Sequence, residues 1–236
     1  MAAVLFARAW HGSDRPLAFG LAAVFPPAMH DLMIGNVSSF TLAVEIMLLR
    51  LRPVVAGASF GLLLLLVPKP HLIPVLGWLL LRQTRTGLIS LGVSAAGLLA
   101  GVAVFGIEPW IGFLETLREP LGRDFTANIA LSAILGPAGV VLSMILAAGL
   151  FAMAVLRRGP EGLGYAILSG IVLGPYTFIH YLVGILVAAE PMLRARPRRL
   201  VAFPVLFLVA PLSHVWTVLL AIVSWTGLRS RAVRSE

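Results

Sequence analysis

Long apolar stretches separated by short basic or polar clusters make up most of this sequence. A helix needs about 20 mostly apolar residues to cross the hydrocarbon core of a bilayer, so the 22 residues of 86–107 predict one full span. The other stretches are shorter or contain proline. In order along the chain, the apolar stretches cover residues 16–29, 37–49, 53–81, 86–107, 127–156, 163–190 and 200–226.

Prolines divide the longer stretches into short helices. Three prolines lie close to Lys69 inside 53–81, and proline both removes a helix hydrogen bond and disfavours helix in the residue before it. We therefore expect two short helices that turn back at an apex around Lys69. A glycine–proline pair at Gly174 predicts a second broken hairpin over 163–190. The stretch 200–226 is compatible with a third hairpin or with one tilted span.

Basic residues favour hairpins over full spans, because arginine and lysine near span ends stay on the cytoplasmic side. With hairpins, 15 of the 18 basic residues lie on that side. The other three are Lys69, Arg118 and Arg123. One full span per stretch would add four arginines to the outer side. The hairpin arrangement predicts an external loop over 108–126 and a cytoplasmic basic tail over 227–236.

The composition excludes a soluble globular domain, because 59% of the residues are hydrophobic, only 12% are charged and the mean hydropathy is +0.99. We expect one all-α membrane domain over 1–236: a polytopic transmembrane helix bundle with proline-broken short helical hairpins, surrounded by membrane lipids. The net charge of +8 does not indicate nucleic-acid binding, since no basic stripe is interleaved with aromatic residues. Without cysteine or closely spaced histidines, no metal site or cofactor is expected.

Ionisable groups at the two predicted apices are the candidates for chemistry. Lys69 is the sole lysine, and an intramembrane cation is costly and suggests a phosphate or carboxylate partner. The alternative is a lysine that snorkels towards the head groups. His71 is either a cavity residue or a hydrogen-bond donor at a helix end. Because backbone breaks at membrane depth need protein or a water-filled cavity around them, we expect the apices to share one outward-facing cavity.

The second apex combines the hydroxyls and aromatic faces of Tyr176 and Thr177 with the imidazole of His180. Such groups suit a sugar site, since rings stack, hydroxyls hydrogen-bond and a histidine can relay a proton. Alternatively, His180 is only hydrogen-bonded. Glu45 lies inside an apolar stretch and needs a buried partner or protonation, but its position in the inner half makes it a weak candidate.

Small and aromatic residues in the apolar stretches have a structural interpretation. Gly57 and Gly61 have the spacing that lets helices approach closely, as do two later glycine pairs. Tryptophans are enriched at membrane interfaces. We expect interfacial positions for Trp78, Trp110 and Trp225.

Five short motifs follow one another along the chain. They are Phe25-Pro26-Pro27, Gly35-Asn36-Val37, Ala56-Gly57 with Gly61, Lys69-Pro70-His71 and Phe105-Gly106. In this order they resemble the latter half of glycosyltransferase family 87. The family usually has Gly-Gln where this chain has Gly35-Asn36. The segment from Gly174 to His180 resembles a proline–histidine motif of the phosphatidylinositol-mannoside mannosyltransferases in that family.

The resemblance implies a partial GT-C architecture and a reaction on the extracytoplasmic side of a bacterial plasma membrane. A hexose, typically mannose, would pass from a polyprenyl-phosphate donor to a lipid or glycolipid acceptor. The family's catalytic histidine would be His180. Substrate-binding roles would fall to Lys69, His71, Asn36, Tyr176 and Thr177. The family's N-terminal spans, which carry an acidic base, would belong to a longer or separate partner chain.

Two other classes of function fit the same pattern. Broken hairpins also build solute sites in transporters and channels, but these predict internal repeats, and the two hairpins share only their central prolines. A non-catalytic membrane subunit is the other alternative.

Overall fold

The computed structural model describes residues 38–67, 69–118, 130–174, 184, 185 and 188. Within these residues the chain is helical and no strand is present, which confirms the predicted all-α bundle. The helices are α1 Ser38–Arg50, α2 Pro53–Leu66, a 3₁₀ helix Pro70–Leu72, α3 Ile73–Arg82, α4 Thr84–Phe105, α5 Glu108–Arg118, α6 Leu131–Leu135, α7 Pro137–Leu156 and α8 Gly159–Leu173. The predictions for 200–226 and for the tail 227–236 lie outside the described residues.

Helices α2 and α4 pack side by side and run in the same direction. A Cβ atom on Gly57 would lie 2.7 Å from the carbonyl oxygen of Thr86, and one on Gly61 would lie 2.6 Å from that of Ser90. The Ser94 hydroxyl also donates a hydrogen bond to the Gly61 carbonyl oxygen, at 2.9 Å. The prediction that this glycine pair permits close helix contact is therefore confirmed.

The chain turns back between α2 and α3. The end of α3 packs against the start of α4, where a Cβ on Gly87 would lie 2.6 Å from the backbone nitrogen of Leu80. Since α2 starts beside the same end of α4, both ends of the segment 53–81 lie at one level of the bundle. The predicted hairpin is thus confirmed, with the 3₁₀ helix at its apex.

The apex of this hairpin lies inside the bundle. Leu65, near the end of α2, contacts Gly97 of α4. Helix α4 continues from Gly97 to Phe105, which is about 12 Å at the usual helical rise. Lys69 and the 3₁₀ helix therefore stop well short of the far end of α4.

Helices α7 and α8 form an antiparallel pair, and α3 packs against both. The Ser169 hydroxyl of α8 donates to the carbonyl oxygen of Ala147 of α7 at 2.8 Å. The indole nitrogen of Trp78 in α3 donates to the Ala154 carbonyl oxygen at 3.0 Å. Trp78 is fully buried, so the expectation that it lies at a membrane interface is wrong. Its polar atom is satisfied inside the protein, and its ring fills the junction of three helices.

The chain also returns along α8 after the break at Gly174. A Cβ on Gly164 would lie 3.0 Å from the Cα of Ala188, and one on Gly184 would lie 3.0 Å from Cγ2 of Ile167. Positions later in the chain therefore meet earlier positions of α8, which is antiparallel packing. These contacts confirm the second hairpin.

Arginines of several helices collect at one end of the bundle. The Arg82 Nε atom donates to the Val155 carbonyl oxygen, which places the end of α3 beside the end of α7. Helix α1 starts near Lys69 and runs to the opposite, arginine-bearing end. The arginines at this end are Arg50, Arg52, Arg82, Arg85, Arg157 and Arg158.

Two described helices, α4 and α7, are long and apolar enough to cross a membrane, with 22 and 20 residues. Only 6% and 22% of their apolar windows are buried within the protein. The core helix of a soluble domain would be mostly buried, so these exposed apolar surfaces suit lipid tails.

The first part of the predicted external loop 108–126 is helical. Helix α5, Glu108–Arg118, starts directly after α4 and has an acidic residue in its first turn, where the helix dipole favours negative charge. Gly106, with φ of 79°, permits the sharp change of direction between α4 and α5. The remainder of that predicted loop lies outside the described part of the chain.

Candidate functional site

Three polar residues of α1 share one helix face. Thr41 and Glu45 lie three and seven positions after Ser38, which places the three residues in line along a helix. They are only 2%, 4% and 1% exposed. In an otherwise apolar helix, burial of this polar stripe means that α1 turns its hydrophilic face towards the interior of the bundle.

A small cavity lies against this polar face. It is enclosed by α1, by the 3₁₀ helix at the first apex, by α8 and by the returning segment after α8. Its residues are Ser38, Thr41, Glu45, His71, Ile167, Ile171 and Gly184. The volume open to a water centre is about 10 Å³, which is room for about one water molecule or one hydroxyl group.

Lys69 stands at the first apex, immediately before the 3₁₀ helix. Its Nζ atom donates a hydrogen bond to the Ser38 hydroxyl at 3.2 Å. This hydrogen bond directs the ammonium group towards the polar face of α1. The substrate-binding role of Lys69 stays a prediction.

His71 is a cavity residue, the first of the two interpretations offered by the sequence. It is only 7% exposed and lines the cavity. Its backbone carbonyl group lies so close to Gly170 of α8 that a Cβ atom there would overlap the oxygen. The position of the imidazole therefore depends on direct backbone contact between the 3₁₀ helix and α8.

Two polar atoms at the cavity have no hydrogen-bond partner among the residues described. They are Oγ1 of Thr41 and Oε2 of Glu45. Gly184 leaves space for this carboxylate, since a Cβ there would lie 3.3 Å from Oε2. Buried polar groups are nearly always hydrogen-bonded, so these two atoms indicate a site for a polar ligand.

Neither Thr41 nor Glu45 is among the substrate-binding residues predicted from the sequence. The signal that reveals them is their spacing with Ser38, because three polar residues in line within an apolar helix predict a buried polar stripe. Glu45 was expected in the inner half of a span, away from the apex. The apex itself lies deep in the bundle, so that Glu45 and His71 of the apex line the same cavity.

The other predicted site residues lie outside the described residues, namely Asn36, Tyr176, Thr177 and His180. In the sequence, Asn36 is two positions before Ser38, and His180 is four positions before Gly184. Both neighbours line the cavity. The roles of these four residues stay predictions.

The model of glycosyltransferase family 87 matches residues 1–166. This match covers well over half of the chain. The chain belongs to glycosyltransferase family 87. It is therefore a membrane glycosyltransferase, and this membership gives no support to the transporter or channel interpretation. Neither the curated proteins nor the solved structures gave a match.

The family 87 match includes most of the cavity described above. Ser38, Thr41, Glu45, Lys69 and His71 all lie inside residues 1–166. The apex that carries the predicted catalytic histidine follows this region. The first hairpin and α1 are thus the part of the candidate site that lies within the matched residues.

Proposed function

We propose that this glycosyltransferase transfers a hexose, with mannose as the first candidate, from a polyprenyl-phosphate donor to a lipid or glycolipid acceptor. The observation that carries the proposal is the Lys69 ammonium group, which is held at a helix break within the bundle, 3.2 Å from the Ser38 hydroxyl. A cation at such a depth suits a lipid-linked phosphate, which reaches the site through the surrounding membrane.

The proposed reaction needs positive charge at the departing phosphate. The acceptor hydroxyl oxygen bonds to the anomeric carbon, and the bond from that carbon to the phosphate oxygen breaks. The electron pair leaves with polyprenyl phosphate, and the hydroxyl proton passes to a base. Lys69 and His71 would stabilise the negative charge that develops on the phosphate. We assign proton relay to His180 and sugar contacts to Asn36, Tyr176 and Thr177.

The arginines support an extracytoplasmic reaction in a bacterial plasma membrane. Six arginines lie at one end of the described bundle, and such clusters stay on the cytoplasmic side. The first apex points away from that end. A donor bound at Lys69 would therefore be reached from the opposite leaflet. The base that activates the acceptor would come from N-terminal spans of the family, in this chain or in a partner chain.

Donor capture by photo-crosslinking tests the phosphate role of Lys69. The full chain in proteoliposomes is mixed with a polyprenyl-phosphate-mannose analogue that carries a photoreactive group on the lipid. Because loss of a charge-assisted hydrogen bond weakens binding, we expect Lys69→Ala to lower the crosslinked yield at limiting donor by about 10- to 100-fold. Lys69→Arg should retain part of the yield.

The matched control is Arg85→Ala, which removes an exposed cation at the arginine-bearing end and should crosslink like the wild type. His180→Ala should still bind the donor while transfer of labelled mannose falls by about 10²- to 10⁴-fold. Equal crosslinking of the Lys69→Ala and Arg85→Ala variants would show that the lysine does not bind the phosphate.

A further inference from the structure

Thr41 and Glu45 present two unsatisfied polar atoms to the same cavity. The residues are four positions apart on α1 and are 4% and 1% exposed. Two other buried polar atoms without a partner among the described residues, Trp110 Nε1 and Ser143 Oγ, do not line this cavity. Among the described residues, the cavity is therefore where two buried polar atoms without a partner occur together.

The chemistry of these atoms defines the ligand group that fits them. A carboxylate oxygen accepts a hydrogen bond, whereas a threonine hydroxyl can donate one and accept others. A hydroxyl group complements both, since it donates to Glu45 and accepts from Thr41. A phosphate group is too large for the cavity, which has room for about one hydroxyl or water oxygen.

The cavity also lies at a suitable distance from the proposed phosphate site. Lys69 is hydrogen-bonded to Ser38, and Thr41 and Glu45 follow on the same face, about 4.5 Å and 10.5 Å further along the helix axis. This separation is comparable to the reach of one hexose unit attached to a phosphate. The apolar side chains of Ile167 and Ile171 bound the other side of the cavity.

We propose that Thr41 and Glu45 form a subsite that binds one hydroxyl group of the transferred hexose. This assignment rests on the glycosyltransferase function proposed above. It makes α1 a determinant of sugar specificity, with the phosphate held at its Ser38 end and the sugar hydroxyl further along the same face. The two side chains bind the substrate and take no covalent part in the reaction.

Competition binding with deoxy donors tests the subsite. Polyprenyl-phosphate-mannose and a set of monodeoxy analogues, each lacking a different hydroxyl of the sugar, compete against the photoreactive donor on the full chain. We expect the wild type to bind one deoxy analogue about 10-fold or more weakly than the parent, because its two polar groups are then left unpaired.

The Thr41→Val and Glu45→Leu variants, which remove the polar atoms, should bind the parent donor about 10-fold more weakly and should lose discrimination against that one analogue. Thr41→Ser, which keeps the hydroxyl, should restore both properties. The matched control is Ser143→Ala, which removes a buried hydroxyl of α7 away from the cavity and should retain the wild-type pattern. Detergent melting curves of every variant establish that each chain is folded.

Three results would overturn the subsite. Wild-type discrimination in the Thr41→Val and Glu45→Leu variants would show that neither side chain contacts the sugar. Equal weakening of these variants towards the parent donor and every deoxy analogue would indicate a structural water only. If the wild type binds polyprenyl phosphate without a sugar as tightly as the parent donor, the sugar adds no contact and the subsite fails, whereas the proposed donor binding fails only if Lys69→Ala captures the donor like the wild type.

Discussion

Gly170 is the position at which one added methyl group should disturb the site most. In the structure α8 crosses the 3₁₀ helix at this residue, and a Cβ atom would overlap the carbonyl oxygen of His71. The same Cβ would lie 2.7 Å from the carbonyl carbon and 3.1 Å from the Cα of His71. Favourable carbon contacts are about 3.5–4.0 Å, so Gly170→Ala requires a backbone shift of about 1 Å.

The cost of that shift follows from general packing energies. Overpacking a well-packed core costs about 1–3 kcal/mol, and a clash with backbone belongs near the upper limit because no rotamer change relieves it. Replacement of glycine by alanine in a helix returns about 1 kcal/mol. We therefore expect a net destabilisation of about 2 kcal/mol for Gly170→Ala.

The matched control is Gly149→Ala in α7, where an added Cβ would meet no heavy atom within 4 Å. This variant should gain about 1 kcal/mol from helix propensity. The melting temperatures of the two variants in detergent should then differ by roughly 6–12 °C, by the scaling for chains of this size. Equal melting temperatures would refute the close contact between α8 and the 3₁₀ helix.

Three further predictions test other contacts. Gly61→Ala should separate α2 from α4 and lower stability by about 1–3 kcal/mol, because its Cβ would lie 2.6 Å from the Ser90 carbonyl oxygen. Thermal melting measures the loss, and Gly92→Ala, which has open space around it, is the control that should not be destabilised. Trp78→Phe should cost about 1–3 kcal/mol in denaturant titration, because the buried indole hydrogen bond is lost and the smaller ring leaves a cavity between three helices. In this cysteine-free chain, Arg85→Cys should react with membrane-impermeant maleimide only in inverted vesicles, and Glu108→Cys only in right-side-out cells; labelling of both from one side would refute the topology.

The broken hairpins could be predicted from sequence because their cause is local. Proline removes a backbone donor at a fixed position, so the cluster around Lys69 marks a helix break whatever surrounds it. The charge bias then requires that the segment 53–81 return to its starting side. Close packing at Gly57 and Gly61 was also predictable, since only small residues at that spacing allow it.

Contacts between distant segments could not be predicted in the same way. Tryptophan is a residue type that is common at membrane interfaces. Trp78 is instead favourable in the core because its indole N–H donates to the Ala154 carbonyl oxygen of another helix. Glu45 likewise acquires its surroundings from residues far away in the chain, namely His71, Ile167 and Gly184. The hydropathy pattern shows that an ionisable residue such as Glu45 is costly in a membrane. It does not show which residues surround the side chain in the folded chain.

The contact at Gly170 connects the two halves of the proposed site. On one side it fixes the carbonyl group of His71, two residues after Lys69. On the other side, α8 ends at Leu173, and Gly174 begins the segment that leads to His180. Any shift of α8 against the 3₁₀ helix must therefore change the separation between Lys69 and the start of that segment. We expect the absence of a side chain at Gly170 to set the distance between Lys69 and the segment that leads to His180, and hence the spacing between the proposed phosphate and sugar positions.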